Sequence, residues 1–168
     1  CIEKQVDNNI TVIGFEALVY RLLKSNGIEC PEANDDEIKR IFRNIYQSLN
    51  CTDSRNFYWL EFEEIINKYE IRTLEEYLAC DRTGMGKPLD ANKRRTVWPF
   101  FERVNEQLAK NNYVTFLDRA RILLRAIQDG RVKERFDSII IDEAQDFEPL
   151  KIRLLAELTK NKENSVLI

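Results

Sequence analysis

Acidic residues and a glutamine follow directly on an apolar run near one end of the chain. Asp142, Glu143, Gln145 and Asp146 come after the run 139–141, which is Ile-Ile-Ile. An aspartate at the tip of a strand can hold Mg²⁺ through water, because Mg²⁺ prefers oxygen ligands and keeps several waters. A glutamate one residue later can orient or deprotonate a water beside a γ-phosphate, and a glutamine can donate and accept hydrogen bonds at once. These residue types predict chemistry on a polyphosphate.

The elements around this segment predict where it lies in the fold. The β-branched run 139–141 predicts a strand covered on both faces, and the carboxyl ends of strands in open α/β sheets form the crevice where ligands bind. A helix beginning near Pro149 and a final strand over 165–168 are predicted behind it. At the start of the chain, the β-rich residues 10–13 precede Gly14 and an amphipathic helix, which predicts a second β-α unit.

The middle of the chain is predicted to be helical throughout. Apolar periodicity and capping signals predict helices over 35–49, 58–69, 73–80, 91–110 and 115–130. Pro99 is expected to bend the fourth of these helices or to divide it in two. Trp59, Trp98 and Phe101 lie at helical-core spacing, which favours core packing over base stacking. The predicted fold class is α/β, mostly helical, with a partial parallel sheet of about three short strands and a large all-α insertion.

Composition excludes several classes of function. Lys and Arg number 26 against 29 Asp and Glu, a net charge of −3, so any phosphate-binding surface must be a local patch. With 0 His, Ser-His-Asp triads and histidine metal sites are excluded. The 4 Cys include no C-x-x-C pair, which argues against zinc and predicts reduced thiols. The lack of an export signal and of a long apolar run predicts a cytoplasmic protein.

The acidic segment and its flanks resemble a known family. Residues 138–147, Ser-Ile-Ile-Ile-Asp-Glu-Ala-Gln-Asp-Phe, with the helix behind them, resemble the Walker B segment of UvrD/Rep-like superfamily-one helicases. The segments 59–65, 73–78, 82–89, 95–98 and 113–118 resemble the helical subdomain inserted in the first RecA-like domain of related proteins. The resemblance implies a fragment of that domain. Residues 1–25 and 136–168 would belong to a RecA-like ATPase core with a partial parallel sheet, and 26–135 to the helical insertion.

The resemblance also implies roles for individual residues. Asp142 would coordinate the Mg²⁺ of MgATP, Glu143 would activate the hydrolytic water, and Gln145 would couple the nucleotide state to DNA-facing elements. Phe15 matches the aromatic residue of a Thr-Phe-His-type DNA-contacting motif, in which Gly14 and Glu16 replace the Thr and the His. The implied cofactors are ATP and Mg²⁺. The implied partners are single-stranded DNA and the remainder of a helicase chain, namely a P-loop segment and a second RecA-like domain.

A P-loop motif is missing from this sequence. The motif G-x-x-x-x-G-K-[ST] must lie between a strand and a helix so that backbone N–H groups and a Lys cradle the phosphates. Residues 84–88, Gly-Met-Gly-Lys-Pro, have a different glycine spacing, a Pro in place of Ser or Thr, and helical flanks. The full-length protein is therefore expected to be an ATP-dependent DNA helicase, while this chain alone is predicted to carry half of a catalytic centre and to be inactive.

A basic patch is predicted around the central loop. Arg82, Lys87, Lys93, Arg94 and Arg95 lie close together in sequence and could contact nucleic-acid phosphates. The alternative is a solvated helix face.

The sequence is compatible with two other functions. The length of the helical insertion and the net negative charge are compatible with a non-motor protein-interaction module on a helicase-like scaffold. A helicase-like ATPase of a nuclease or defence system would share the motor but act in different biology. An upstream P-loop in the same reading frame would favour a motor, and its absence would favour the interaction module.

Overall fold

The computed structural model describes residues 3–7, 10–31, 35–83, 85–86, 88–160 and 166–167. The chain divides into two compact units. The first unit comprises Cys1–Cys30 with Asp118–Ile168, and the second comprises Pro31–Leu117. Each unit has its own apolar core, as expected of separate domains.

Short strands lie near the ends of the chain and helices fill its middle. In chain order the elements are β1 (Glu3–Asp7), β2 (Ile10–Ile13), α1 (Phe15–Ser25), α2 (Asp35–Ser48), α3 (Arg55–Glu61), a π-helical turn (Phe62–Asn67), α4 (Leu74–Ala79), α5 (Ala91–Lys110), α6 (Phe116–Gln128), β3 (Ile139–Ile140), a 3₁₀ turn (Ala144–Asp146), α7 (Pro149–Glu157) and β4 (Val166–Leu167). The prediction of a mostly helical chain is confirmed, while a partial RecA-like sheet of about three strands is not seen among the described residues.

The strands form two separate pairs. β1 and β2 are antiparallel neighbours, and β3 and β4 are parallel, with Ile139 opposite Val166. Within the described residues, the prediction that 10–13 join a parallel sheet is wrong. Only two residues separate Asp7 from Ile10, and so short a connection joins antiparallel strands, whereas parallel strands need a crossover.

Strand β3 is covered on one face only. Ile139 is half-buried and Ile141, directly after the strand, is buried, whereas Ile140 is 79% exposed. Because successive side chains of a strand point to opposite faces, Ile140 lies on the uncovered face. The prediction of a strand covered on both faces is therefore wrong for the described part of the chain.

The core of the first unit is built from the apolar stripes of three helices. The apolar side chains that these helices bury are Leu18, Val19, Leu22 and Leu23 of α1, Ala120, Leu123, Leu124, Ala126 and Ile127 of α6, and Leu154 and Leu155 of α7, with Leu158 after it; Val132, Ile141 and Ala144 are buried as well. Asn26 and Gly27 end α1, and Gly27 adopts a φ of 62°, a conformation that glycine accepts without steric cost. The predicted stop of this helix is confirmed.

The core of the second unit is aromatic. Phe100 packs against Phe42 and Tyr58, with ring centroids 4.7 and 4.5 Å apart. Trp98 and Phe101 are buried, as predicted, while Trp59 is half-buried at the edge of this cluster. Such ring pairs stabilise a core beyond the area that they bury. Helix α5 runs through Pro99 without being divided.

Helix α4 begins with the capping box that its spacing predicts. The backbone N–H of Glu76 donates to the Thr73 hydroxyl, and the backbone N–H of Thr73 donates to the Glu76 carboxylate. The backbone N–H of Arg72 donates to the same carboxylate at 2.7 Å. These backbone hydrogen bonds lower the pKa of Glu76 because they favour its charged form.

The described cysteines are unpaired, and the described helices do not combine the length and the apolarity of a membrane span. Cys30, Cys51 and Cys80 are free thiols, and burial raises the pKa of each. The prediction of unpaired cysteines is confirmed for these three, while Cys1 lies outside the described residues. In the part of the chain that the structure describes, no helix is both long and apolar enough to cross a bilayer.

Candidate functional site

The acidic segment lies at the carboxyl end of β3, as predicted. Asp142 and Glu143 follow the strand after one intervening residue, Ile141, and both side chains are exposed. Ile141 on one side and Ala144 on the other are buried, so the backbone is anchored before and after the two carboxylates. Gln145 is exposed in the 3₁₀ turn. The arrangement presents two carboxylates and an amide to solvent from an anchored turn.

Glu143 has an unusual backbone conformation. Its φ and ψ are 56° and 44°, in the left-handed region that non-glycine residues rarely adopt. Its carboxylate accepts a hydrogen bond from the side-chain amide of Gln145. Residues held in sparsely populated conformations cluster at functional sites, because the surrounding structure must over-determine them. The conformation and the hydrogen bond together fix the direction of the Glu143 carboxylate.

Substitutions at position 143 should change stability according to their tolerance of this conformation. We expect Glu143→Asn to exceed Glu143→Val in free energy of unfolding by about 1–2 kcal/mol, with the wild type between them, because Asn tolerates the left-handed region and a β-branched residue does not. Urea unfolding followed by far-UV circular dichroism measures the difference. Equal stability of the two variants would show that the turn relaxes to an ordinary conformation.

The segment after the acidic residues contacts the start of α1. The ring of Phe147 meets the ring of Phe15 edge-on, with centroids 5.6 Å apart. The Lys151 ammonium lies 5.8 Å from the Phe15 ring centroid and 5.6 Å from that of Phe147, and 2.7 Å from a carboxylate oxygen of Glu148. Phe15 and the acidic segment, which are far apart in sequence, are thus brought together inside the first unit.

The carboxylates fit a magnesium ion better than a closed protein-only metal site. No group of three potential His, Cys, Asp or Glu ligands occurs among the residues that the structure describes. Mg²⁺ is usually bound by one or two carboxylates, with the remaining positions filled by waters and substrate phosphates. Asp142 and Glu143, exposed and adjacent, supply that kind of donor set.

Arg82, predicted in the basic patch, is instead part of a buried ion pair in the second unit. Its Nε and Nη2 atoms donate to the two carboxylate oxygens of Glu61 at 2.7 and 2.6 Å. Glu61 is 0% exposed and Arg82 is 9% exposed. The Tyr77 hydroxyl donates to Glu61 at 2.6 Å, and burial, with this hydrogen bond, raises the pKa of Tyr77.

Arg94 is likewise engaged within the fold. Its guanidinium donates to the backbone carbonyls of Tyr77, Cys80 and Leu89 at 2.6, 2.9 and 3.3 Å. These carbonyls lie at the end of α4 and just before α5, where helical partners are lacking, so Arg94 satisfies them. The donors of this guanidinium are directed at backbone, which leaves it poorly placed for a phosphate.

The predicted basic patch is therefore smaller than expected. Arg82 and Arg94 leave it because their donors are used inside the second unit. Lys93 forms an ion pair with Asp53 at 2.6 Å, and Arg95 is exposed. Lys87 lies outside the described residues.

Sequence reasoning missed Glu61, although a signal was present. Glu61 shares the helix face of Tyr58, three residues before it, and of Ile65, four residues after it, and both of these side chains are buried. A charged residue on an apolar face is stable only with a partner. The later arginine at position 82 supplies it.

Comparison with known proteins adds one match. The family described as UvrD/REP helicase N-terminal domain matches residues 5–168. Comparisons with curated proteins and with solved structures return no match.

Proposed function

The chain belongs to the UvrD/REP helicase family, and on that premise we propose that its acidic segment is the magnesium- and water-handling half of an ATP-hydrolysis site. Membership implies an ATP-dependent DNA helicase as the complete protein. The observation that carries the proposal is the pair of exposed carboxylates on an anchored turn at the carboxyl end of β3. In open α/β sheets that end of a strand is where nucleotides bind.

Asp142 would hold the metal. It is the first acidic residue after β3 and its carboxylate is exposed, so it can bind an ion through water while the nucleotide supplies phosphate oxygens. When bound, Mg²⁺ would neutralise negative charge on the phosphate oxygens. Asp142 itself would position the nucleotide and perform no proton transfer.

Glu143 would act as the general base. Its backbone is held in the left-handed region, and the Gln145 side-chain amide donates a hydrogen bond to its carboxylate. A carboxylate fixed in this way can accept a proton from a water that attacks the γ-phosphate. Gln145, which donates to Glu143, would report the state of the nucleotide to the rest of the protein.

The contact between Phe147 and Phe15 supports a role for Phe15 in that coupling. Phe15 is the first residue of α1. A displacement of the 3₁₀ turn would move it, because the Phe147 ring and the Lys151 ammonium both contact the Phe15 ring. Because Phe15 is half-buried in this contact, we propose that it transmits movement to DNA-facing elements in addition to any direct contact with DNA.

The two units correspond to two parts of the proposed motor. The first unit, with the parallel pair β3 and β4, would be part of a RecA-like core. The second unit, 31–117, lies within the predicted insertion 26–135 and would be the helical subdomain that faces DNA. Helix α6 lies mostly in the first unit. Arg95 and Lys93 remain candidates for phosphate contacts in the second.

The function is tested by ATP hydrolysis in the complete protein that carries this chain. We expect single-stranded DNA to raise the steady-state rate of ATP hydrolysis, because the family couples the two activities. The 168-residue chain alone is expected to show no hydrolysis, since it lacks a P-loop motif. A complete protein that hydrolyses no ATP with or without DNA would contradict the motor and favour the protein-interaction module.

A further inference from the structure

Helices α2 and α3 of the second unit enclose an open groove that plays no part in the site described above. The cavity measures about 400 Å³, within the range of small-ligand sites. Its lining residues are Lys39, Phe42 and Arg43 of α2 and Arg55, Asn56 and Trp59 of α3. Three of these six side chains are cationic, one carries an amide and two are aromatic.

The cations face the groove from both helices. Lys39 and Arg43 are four residues apart on α2, so they lie on one side of that helix, and Arg55 lies at the start of α3. In the ranges that the structure describes, the side chains of Arg43 and Arg55 form no ion pair and no hydrogen bond. Two unpaired guanidinium groups beside one cavity favour an anionic ligand, because guanidinium forms paired hydrogen bonds with phosphate.

Glu63 is an acidic side chain that interacts with two of the lining residues, Trp59 and Lys39. Burial raises the pKa of the Glu63 carboxyl, while its interactions with the Trp59 side chain and with Lys39 lower that pKa. Asp35 and Glu64 interact with Glu63 as well. Glu63 therefore offsets the charge of Lys39, whereas neither Arg43 nor Arg55 is among the residues that act on Glu63.

The indole ring of Trp59 lines the groove and packs against a buried aromatic ring. The Trp59 ring meets the ring of buried Phe42 edge-on, with centroids 5.0 Å apart and planes at 79°. The side chain is only half-buried, so part of the indole borders the groove. An aromatic ring beside a cationic groove is the arrangement by which proteins bind single strands, since bases stack on the ring and phosphates follow the cations.

We propose that this groove binds a single strand of DNA, with phosphates on Arg43 and Arg55 and a base stacked on Trp59. An acidic peptide would use the cations and leave the aromatic wall without a partner, so the observations favour the nucleic acid. The inference rests on the proposed function, because a motor that moves on DNA needs contacts along the strand.

Cross-linking tests the inference directly. The complete protein is irradiated with a single-stranded oligonucleotide that carries 5-iodouracil, and the product is digested with trypsin and mapped by mass spectrometry. We expect a cross-link at Trp59 within the tryptic peptide 56–68. An oligonucleotide that is abasic at the neighbouring positions should bind about tenfold more weakly, since stacking of each base is removed.

Charge variants provide the matched comparison. Arg43→Gln with Arg55→Gln should abolish the cross-link and flatten the dependence of log K on log salt by about 0.7 for each phosphate that is no longer bound. Arg103→Gln with Lys110→Gln removes the same charge from exposed positions of α5 and should leave both unchanged. Tryptophan fluorescence of the variants without DNA, to which Trp59 and the buried Trp98 both contribute, verifies folding.

Three results would overturn the inference. If DNA stimulates ATP hydrolysis normally and no cross-link falls within 56–68, the groove does not hold the strand, although the proposed function stands. Poly-glutamate that competes as well as the oligonucleotide would assign the groove to an acidic peptide. If Arg103→Gln with Lys110→Gln loses as much affinity for DNA as the groove variant, the loss is caused by the change in net charge and not by the groove. Failure of the proposed function is recognised separately, by absent ATP hydrolysis.

Discussion

Glu143→Gln in the complete protein is expected to lower kcat for DNA-stimulated ATP hydrolysis by a factor of about 10²–10⁴. Gln has nearly the same size and keeps a carbonyl that accepts the hydrogen bond from Gln145, but it cannot take a proton from water. Binding of MgATP should change little, because Asp142 is untouched. Steady-state kinetics and equilibrium binding of a fluorescent ATP analogue separate the two effects.

Glu134→Gln serves as the matched control for that variant. Glu134 is an exposed carboxylate of the same unit, paired with Arg21 at 3.2 Å, and we expect its replacement to leave kcat unchanged. Near-normal turnover in Glu143→Gln would assign the base to another residue. A loss of nucleotide binding equal to the loss of turnover would mean that Glu143 positions the ligand rather than the water.

The second large effect should come from the buried pair in the second unit. Arg82→Met is expected to lower the free energy of unfolding by about 3–5 kcal/mol, because it leaves the Glu61 carboxylate buried without its cation. The hydroxyl of Tyr77 would then be the remaining side-chain donor seen at Glu61 in the structure. Urea unfolding followed by Trp98 fluorescence reports on this unit, since Trp98 packs beside Tyr77.

Two further variants make that prediction specific. Arg40→Met removes the same side-chain type from an exposed pair with Glu37 and should cost less than about 1 kcal/mol. Glu61→Leu combined with Arg82→Met should lose less than the sum of the two single losses, because no unpaired charge remains. If the loss in the double variant equals the sum of the two single losses, the two side chains act independently. That result would contradict the bidentate contact seen between them.

The helices of this chain could be predicted because their signals are local. The Thr73–Glu76 capping box and the Asn26–Gly27 stop each depend on a few neighbouring residues, and both occur where the sequence places them. The apolar stripe of α2 is likewise predicted from the spacing of residues within one helix, and its side chains are buried. Local rules of this kind need no knowledge of which elements pack together.

Sheet pairing and buried charge could not be predicted in the same way. The exposure of Ile140 depends on which strands lie beside β3, and the partner of β2 depends on a connection of two residues rather than on strand composition. Proximity in sequence groups Arg82 with a surface patch, whereas its partner Glu61 lies 21 residues earlier in the chain. Both outcomes are set by long-range contacts.

The acidic site was predictable in place but not in conformation. A run of isoleucines followed by Asp142 and Glu143 predicts carboxylates at the end of a strand, which the structure has. Nothing in the residue types predicts the positive φ of Glu143, since a glutamate is a poor candidate for that region. The groove beside Trp59 was likewise missed, because helical spacing alone assigned that side chain to the core.

The left-handed backbone at position 143 has a consequence for directed evolution of this protein. A library sorted only for survival of heating would enrich Glu143→Asn, because that change relieves the local steric conflict. The enriched clones would also have discarded the proposed proton acceptor. Selection for heat tolerance should therefore fix position 143 or score turnover in every round.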